Sequence, residues 1–381
     1  MIFQVKRRFA ACLAEILYIT LSLCYNLCIM KNGTEILKKL KGVDGALLFA
    51  EANTFYVAEY ESSNAYIILT KNKTYYLTDD RYFEEASIAL GEKFDVQRIA
   101  AEGVFKQITE ILHDENVKVL GFEDVSTRYR DYVSMTENVK GVTFKGIEED
   151  LLKARAVKSD KEVELIKKAA SINDLAIVDL WKVIKEGMTE KEVKDEMEYR
   201  LHTFGGDGLA FDTIVAFDKN TSKPHAHAGD QKLKCGMPIT VDFGCKYKGY
   251  CSDITRTFFF GKPSERMEGI YKSVLHSNMA GIEFAKPGVT GADVDKVCRE
   301  YFGDRAKYFL HGTGHGVGID IHEDPFINKR GVEPLQKNMI ITVEPGLYIP
   351  DVGGVRVEDL LVITDSGNEV LSKSDKNLII L

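Results

Sequence analysis

Residues 238–260, PITVDFGCKYKGYCSDITRTFFF, encode two β-strands joined by a short turn. In the first strand apolar residues alternate with polar ones, so one face is apolar and the opposite face carries Asp242. We place the symmetry centre of the hairpin between Tyr247 and Lys248, which predicts that Asp242 faces Asp253 directly. Like charges that lie directly opposite each other destabilise a sheet. Two facing aspartates on a buried strand pair therefore indicate a bound cation.

A second pair of acids follows downstream, at the ends of two more apolar strands. Glu344 closes the run MIITV and Glu358 follows the run GVRV, and a turn at residues 350–354 predicts that these two acids lie near each other. Between the two acidic pairs lies the glycine-rich stretch 309–318, FLHGTGHGVG, which contains His315. Its glycines let the backbone approach closely and leave the imidazoles unshielded.

Four carboxylates and one histidine form a mostly oxygen, mixed-ligand set: Asp242, Asp253, His315, Glu344 and Glu358. Such a set suits Mn²⁺ or a similar divalent ion better than a structural zinc site. Four acids exceed what one ion needs, whereas two ions about 3.5–4 Å apart share bridging carboxylates. Any one of these acids alone would be interpreted as a solvated surface group, but unpaired charge on apolar strands is costly to bury. The pattern therefore predicts a site for two divalent ions.

The composition is that of a soluble globular protein and excludes several classes. The chain has 381 residues, 45% hydrophobic and 28% charged, enough for two or three domains of about 100–200 residues each. The net charge of −8 argues against a nucleic-acid-binding role for the chain as a whole. Seven cysteines at scattered spacings form neither a disulfide framework nor a zinc motif, and the four outside the first thirty residues suit a reducing compartment.

Residues 1–29 differ from the rest of the chain. A basic cluster at residues 6–8 precedes an apolar run that is interrupted by Glu15 and Asn26. We favour the interpretation that Met30 is the true start, so that 1–29 is a leader outside a mature, cytoplasmic protein. A signal peptide or membrane anchor is the second interpretation, although the run reaches the about 20 apolar residues of an anchor only by including both polar residues. A structural helix is the third.

Residues 30–147 alternate helix and strand, which predicts a small α/β domain. The predicted helices span residues 35–40 and 84–90. The predicted strands span residues 45–49, 65–70, 74–78 and 117–122, and the second and third form a hairpin.

Residues 148–381 predict an α+β domain. Two helices, at residues 159–186 and 189–204, each begin with a capping box, in which Ser or Thr precedes a Glu by three residues. A mostly antiparallel sheet follows, with one helix at 266–284 and another that begins at Gly291. The predicted strands span residues 213–217, 238–247, 250–260, 339–349 and 355–364.

These motifs resemble those of the metallopeptidase family of pita-bread fold, which includes aminopeptidase P, prolidase and methionine aminopeptidase. The resemblance rests on six C-terminal motifs: VDFG at 241–244, GYCSDITRT at 249–257, HGTGHG at 311–316, IHE at 321–323, VEPG at 343–346 and RVED at 356–359. NTFYV at 53–57 and LTDDRYF at 77–83 resemble the creatinase-type N-terminal domain of aminopeptidase P and prolidase. The resemblance implies an α+β chain: a creatinase-like α/β domain at 30–147 followed by a pita-bread catalytic domain at 148–381.

The resemblance also assigns roles to the five ligands. Asp242 is similar to a terminal ligand of one ion, and Asp253 and Glu358 are similar to the carboxylates that bridge both ions. His315 and Glu344 are similar to terminal ligands of the other ion, and Glu344 is also expected to take a proton from the attacking water and pass it to the leaving nitrogen.

Four more residues match positions around the substrate: His225, His311, His322 and Arg356. His225 and His322 are expected to donate hydrogen bonds as charge develops on the scissile carbonyl oxygen. One departure is visible, because Ala228 stands where family members often have a proline, and His227 is an additional histidine nearby.

The resemblance implies a dinuclear-metal aminopeptidase that hydrolyses the N-terminal Xaa-Pro peptide bond by attack of a metal-bridging hydroxide. The ions are expected to be Mn²⁺, with Co²⁺ or Zn²⁺ as alternatives, the substrates peptides with proline second, and the assembly a homodimer. The alternative is an Xaa-Pro dipeptidase restricted to dipeptides, and a remote alternative is a non-catalytic binding protein of the same fold. Methionine aminopeptidase is disfavoured because those enzymes lack the N-terminal domain.

Overall fold

The computed structural model describes residues 33–381, and our interpretation of the leader at 1–29 lies outside this range. The chain divides into two compact units, of which the first ends at Leu151 and the second spans Leu152–Leu381. Within the described range, no helix is both long and apolar enough to span a bilayer.

The first unit contains a six-stranded mixed sheet with the strand order β4-β3-β2-β1-β5-β6. The strands are β1 Gly45–Leu48, β2 Ala65–Leu69, β3 Thr74–Thr78, β4 Asp95–Arg98, β5 Val119–Phe122 and β6 Thr143–Gly146. The helices are α1 Gly33–Lys39, α2 Glu51–Ala58, α3 Phe83–Leu90, α4 Val104–Asp114 and α5 Tyr129–Asn138. The predicted hairpin is confirmed, because β2 and β3 pair antiparallel from Ala65–Thr78 to Leu69–Thr74. Parallel pairing of β1 with β5 and of β5 with β6 completes an α/β unit.

From residue 148 onward there are five α-helices: α6 Glu148–Ala156, α7 Asp160–Trp181, α8 Glu190–Thr203, α9 Glu265–Phe284 and α10 Gly291–Phe302. Both predicted capping boxes are confirmed, at the N-termini of α7 and α8. The predicted end of the first helix at residue 186 is wrong. After Trp181 the backbone tightens, since the N–H groups of Lys182 and Val183 donate to carbonyls three residues back. The apolar pattern continues past Trp181, and a prediction from the pattern alone therefore made the helix too long.

The strands of the second unit form small antiparallel sheets, as predicted. Their orders are β12-β9-β8, β11-β10-β7, β14-β13-β15-β18-β19 and the pair β16-β17. The strands are β7 Gly208–Leu209, β8 Ile214–Phe217, β9 Met237–Phe243, β10 Cys245–Tyr247, β11 Tyr250–Cys251, β12 Ile254–Phe260, β13 Gly314–Gly316, β14 Glu323–Ile327, β15 Ile340–Val343, β16 Gly346–Ile349, β17 Gly353–Arg356, β18 Asp359–Ile363 and β19 Asn368–Val370.

Two buried clusters place one face of each central strand against helices. Ile172 of α7 and Val193 of α8 belong to one cluster with Val241 of β9. Val274 of α9 belongs to the other with Val343 of β15. Successive side chains of a strand point to opposite faces, so Asp242, which follows Val241, and Glu344, which follows Val343, point away from the helices. This arrangement collects the acids on the opposite faces.

Candidate metal centre

The hairpin that carries Asp242 and Asp253 has a different register from the one predicted. Tyr247 pairs with Tyr250, which leaves a two-residue loop of Lys248 and Gly249. Both loop residues have positive φ, 48° and 80°, as a type I′ turn requires. The symmetry centre therefore lies between Lys248 and Gly249, and the predicted direct pairing of the two aspartates is wrong.

The two aspartates nevertheless meet. Asp242 pairs with Thr255 on the opposite strand. Asp253 precedes Thr255 by two residues, so its side chain lies on the same face, because side chains alternate with a period of two. The strands are interrupted there at Gly244, where a Cβ would lie 2.0 Å from the carbonyl oxygen of Ser252. One carboxylate oxygen from each of Asp242, Asp253 and Glu358 lies within 4.8 Å of the other two.

The second acidic pair lies on strands that fold back as predicted. Gly346 pairs with Arg356 and Val343 pairs with Asp359, so the same register places Glu344 and Glu358 across from each other between the two ladders. The buried amide of Asn278, on α9, donates to the Val343 carbonyl at 2.8 Å and thereby satisfies a backbone group at this interruption.

His315 directs one ring nitrogen at the acids. Its Nδ1 lies 3.1 Å from the carbonyl oxygen of Gly316, which can only accept, so Nδ1 carries the proton in this arrangement. Its Nε2 lies 3.4 Å from Asp253 Oδ2 and 3.6 Å from Glu344 Oε1. Burial lowers the pKa of His315 to about 4, and the ring is therefore neutral near pH 7, the form in which histidine binds a metal. A lone pair thus points at two carboxylates.

Arg356, which pairs with Asp242, compensates the charges of this cluster only in part. Burial raises the pKa of Asp253 and Glu358 well above the usual value, and neighbouring carboxylates raise them further. Burial likewise raises the pKa of Glu344 to about 8, although Arg356 opposes the shift. Among the described residues, Asp242 Oδ1 is buried without a hydrogen-bond partner. The donor set and this unsatisfied oxygen fit a divalent cation, since cations both neutralise and coordinate such oxygens.

All nine residues that the sequence predicts for the site line one cavity of about 430 Å³. Its walls include the five predicted ligands together with His225, His311, His322 and Arg356. The rings of His315 and His322 lie edge to face, with centroids 4.4 Å apart. His227, the additional histidine, is not part of the described lining.

Tyr348 is a site residue that the sequence analysis missed. Its hydroxyl accepts a hydrogen bond from Arg356 Nη1 at 2.8 Å and lies 2.7 Å from His311 Nε2. Since His311 Nδ1 lies 2.7 Å from the Gly312 carbonyl, Nδ1 is the donor and Nε2 accepts from Tyr348. Arg356 also donates to Asp242 Oδ2 at 2.6 Å, so one chain of bonds links His311 to a predicted ligand. The even spacing of Tyr348 from Glu344 in the sequence would have placed it on the same face.

Two family matches cover most of the described chain. Residues 34–157 match the creatinase/prolidase N-terminal domain, and residues 164–365 match metallopeptidase family M24. The chain belongs to metallopeptidase family M24. The predicted α+β fold, with a creatinase-type domain before a pita-bread domain, is confirmed. As an M24 metallopeptidase the protein is an enzyme that uses divalent metal, and the non-catalytic alternative is wrong.

Over nearly its whole length, this M24 metallopeptidase is similar to named Xaa-Pro peptidases and to proteins whose structures have been solved. It shares 34% identity with an Xaa-Pro dipeptidase of Pyrococcus horikoshii, over 92% of this chain and 98% of the relative. The structure of an Xaa-Pro dipeptidase from Bacillus anthracis superposes with a TM-score of 0.88 at 35% identity, covering 92% and 100% of the two chains. An X-Pro aminopeptidase from Thermotoga maritima superposes with a TM-score of 0.85 at 30% identity, covering 91% and 100%.

Proposed function

We propose that this enzyme is an aminopeptidase that hydrolyses the peptide bond between a first residue and a proline, using two divalent ions held by five side chains. The observation that carries the proposal is the approach of the Asp242, Asp253 and Glu358 oxygens to within 4.8 Å of one another, in the cavity that His315 and Glu344 also line. The names of the relatives support the Xaa-Pro part of the proposal.

The proposed ligand roles are those that the family resemblance implies. Asp253 and Glu358 would bridge the ions, which their central position and burial support, being 6% and 2% exposed. Asp242 would bind one ion, and His315 and Glu344 the other. The mostly oxygen set favours Mn²⁺, with Co²⁺ or Zn²⁺ as alternatives. The predicted homodimer and cytoplasmic location stay predictions.

When bound, the ions would supply an acidified water as nucleophile and polarise the scissile carbonyl. The residues of the chain then divide the remaining work. Glu344 takes the proton that the water loses and passes it to the leaving nitrogen. His225 and His322 donate N–H groups to the oxygen on which charge develops; burial lowers the pKa of His322, so it acts as a neutral donor near pH 7.

The walls of the cavity support a proline substrate. Its apolar lining residues include Phe211, Ile214, Ile321 and Phe326. A proline ring packs against such side chains, and the bond before it is a tertiary amide that offers no N–H. A site that needs no N–H donor from its substrate accepts this bond. The free α-amine of the first residue is expected near the acidic cluster, which favours cleavage at the N-terminus.

A peptide panel with metal analysis tests the proposal. The metal-loaded enzyme is assayed on Ala-Pro, Ala-Pro-Ala and a longer Ala-Pro peptide, with the matched Ala-Ala series as control, and elemental analysis counts the ions. Hydrolysis of all three proline peptides with two ions bound is expected. Cleavage of Ala-Pro alone would favour the dipeptidase, which the similarity to the Bacillus anthracis structure supports. Equal rates on the Ala-Ala series would reject proline selectivity.

A further inference from the structure

The loop that carries His225 runs between β8 and β9, at residues 218–236. His225 is exposed, and no hydrogen bond holds its side chain among the described residues. Its position relative to the ligands therefore depends on how the loop backbone is held. Arg356 Nη1 donates to the carbonyl of Pro224 at 3.3 Å, a long bond that holds the middle of the loop weakly.

One buried carboxylate binds the loop where it begins and again after His225. Glu190, the first residue of α8, is 1% exposed. Its Oε1 accepts from the backbone N–H of Phe217 at 2.8 Å and from Asn220 Nδ2 at 2.9 Å. Its Oε2 accepts from the backbone N–H of Gly229 at 2.7 Å. Phe217 ends β8, and Gly229 lies four residues after His225.

We infer that Glu190 is a positioning residue for His225: it closes the segment 217–229 by accepting at both ends and so fixes the histidine over the metal centre. The inference rests on the proposed role of His225. Among the described residues, no lysine or arginine pairs with Glu190, so its burial is offset by these three N–H donors and by the N-terminus of α8. Only a carboxylate accepts at both oxygens, since glutamine has one acceptor oxygen.

Asn220 extends the contact into the loop. Its side-chain N–H group, held by Glu190, also lies 3.4 Å from the carbonyl of His227. Thr221 holds the same segment from the other side, because its hydroxyl accepts from the Gly354 N–H at 2.7 Å. Glu190 thus acts through the loop: it hydrogen-bonds to Phe217, Asn220 and Gly229 and is not itself among the residues that line the cavity.

Glu190→Gln, with Glu192→Gln as the matched control, tests the contact directly. Both acids lie in the first turn of α8, but the Glu192 carboxylate is exposed and accepts from the backbone N–H and hydroxyl of Thr189 within its capping box. In Glu190→Gln the backbone N–H of either Phe217 or Gly229 faces the NH₂ group of the glutamine instead of an acceptor oxygen. We therefore expect faster hydrogen exchange at Phe217 or Gly229. We also expect faster trypsin cleavage after Lys219, while Glu192→Gln leaves both unchanged. Unchanged exchange and cleavage in Glu190→Gln would overturn the inference.

A double-mutant cycle tests the consequence for catalysis in the Mn²⁺-loaded enzyme. Displacement of a reacting group by about 1 Å costs up to about 10²-fold in rate, so Glu190→Gln should lower kcat by about 10- to 100-fold with metal content unchanged. In the His225→Ala background it should lower kcat no further. An equal loss in both backgrounds would mean that Glu190 acts elsewhere and would overturn the inference.

The two readouts separate this inference from the proposed function. If His225→Ala keeps full kcat while Glu190→Gln frees the loop, the contact stands and the catalytic role of His225 fails. If Glu190→Gln does not fold, Asn220→Ala removes only the inner contact, and slower turnover with intact metal content is then expected. Wild-type kcat and wild-type hydrogen exchange in Asn220→Ala would count against the inference.

Discussion

At the residue scale, Asp253 is a buried acid with three carboxylate neighbours. Glu358, Asp242 and Glu344 all raise its pKa beyond the effect of burial, and His315 Nε2 lies 3.4 Å away. A carboxyl group in this position contributes little to a metal-free fold, since burial and the neighbouring acids both disfavour its charged form. Its value to the protein lies in what it binds.

We therefore expect Asp253→Ala to leave a folded protein with near-zero activity and impaired binding of both ions, because a bridging ligand organises the pair. Activity at saturating Mn²⁺ and metal stoichiometry after dialysis measure the two effects. Activity within about tenfold of wild type would reject the bridging role.

His225 is expected to affect kcat and leave the metals in place. Removing one donor to a developing oxyanion typically costs about 10²–10³ in rate, so His225→Ala should lose about that factor on an Xaa-Pro-Yaa tripeptide. His227→Ala is the matched control, because this neighbouring histidine is exposed and lies outside the described lining of the cavity. Loss of metal in His225→Ala would instead make it a ligand and contradict the five-residue set.

Residue types and spacing predicted the five proposed ligands, and the family resemblance implied four more residues that line the cavity, but neither indicated the residues that support them. Acids on apolar strands and a histidine between glycines are unusual enough to stand out in one sequence. Tyr348, Asn278 and Glu190 are not, since a buried tyrosine, asparagine or first-turn glutamate occurs in many structural settings. Their roles depend on contacts between segments up to 79 residues apart in sequence, as between Asn278 and Val357.

At the element scale, the hairpin at residues 238–260 shows why the site could be predicted from a wrong register. The true register differs from the predicted one by two residues, which keeps Asp242 and Asp253 on one face. A shift by one residue would have separated them. The long predicted strands are in fact interrupted at Gly244 and at Glu344, and such interruptions depend on close approaches that an alternating pattern does not encode.

A buried ion-pair network supports the segment that presents His322. Glu323, the next residue, pairs with Arg155 and with Lys158, whose Nζ lies 3.2 Å from Glu323 Oε2. Arg155 also contacts Asp320 at 2.6 Å. Glu323, Arg155 and Lys158 are each at most 3% exposed.

Glu323→Gln is expected to lower the free energy of unfolding by about 3–5 kcal/mol, because it removes the buried carboxylate that Lys158 pairs with and one of the two that Arg155 pairs with. Urea unfolding of the metal-loaded enzyme measures the loss. Glu268→Gln is the control, since it removes a surface pair with Lys272, and such pairs contribute little to stability. Equal effects of the two variants would show that the buried network contributes no more than a surface pair.

At the scale of the whole molecule, stability and metal binding should be linked through pH. Burial and mutual repulsion raise the pKa of Asp253, Glu344 and Glu358 in the metal-free fold, that of Glu344 to about 8. Between the usual carboxyl pKa of about 4 and that value, the folded state holds protons that the unfolded chain has lost. Their contribution to stability is therefore complete below about pH 4 and is lost as the pH rises toward 8.

Bound ions reverse this dependence, because carboxylate ligands must be deprotonated to bind. We expect the melting temperature of EDTA-treated enzyme to fall from pH 5.5 to pH 8 relative to the Mn²⁺-loaded enzyme, so that the gap between the two widens. The single tryptophan, Trp181, packs against Phe258 in the second unit, and its fluorescence therefore reports the unfolding of the unit that holds the site. In a unit of this size each kcal/mol shifts the midpoint by about 2–4 °C, which is readily measured. Asp253→Asn removes one titrating acid and should flatten the metal-free curve, whereas a gap that stays constant with pH would show that these carboxylates are not the groups that bind the ions.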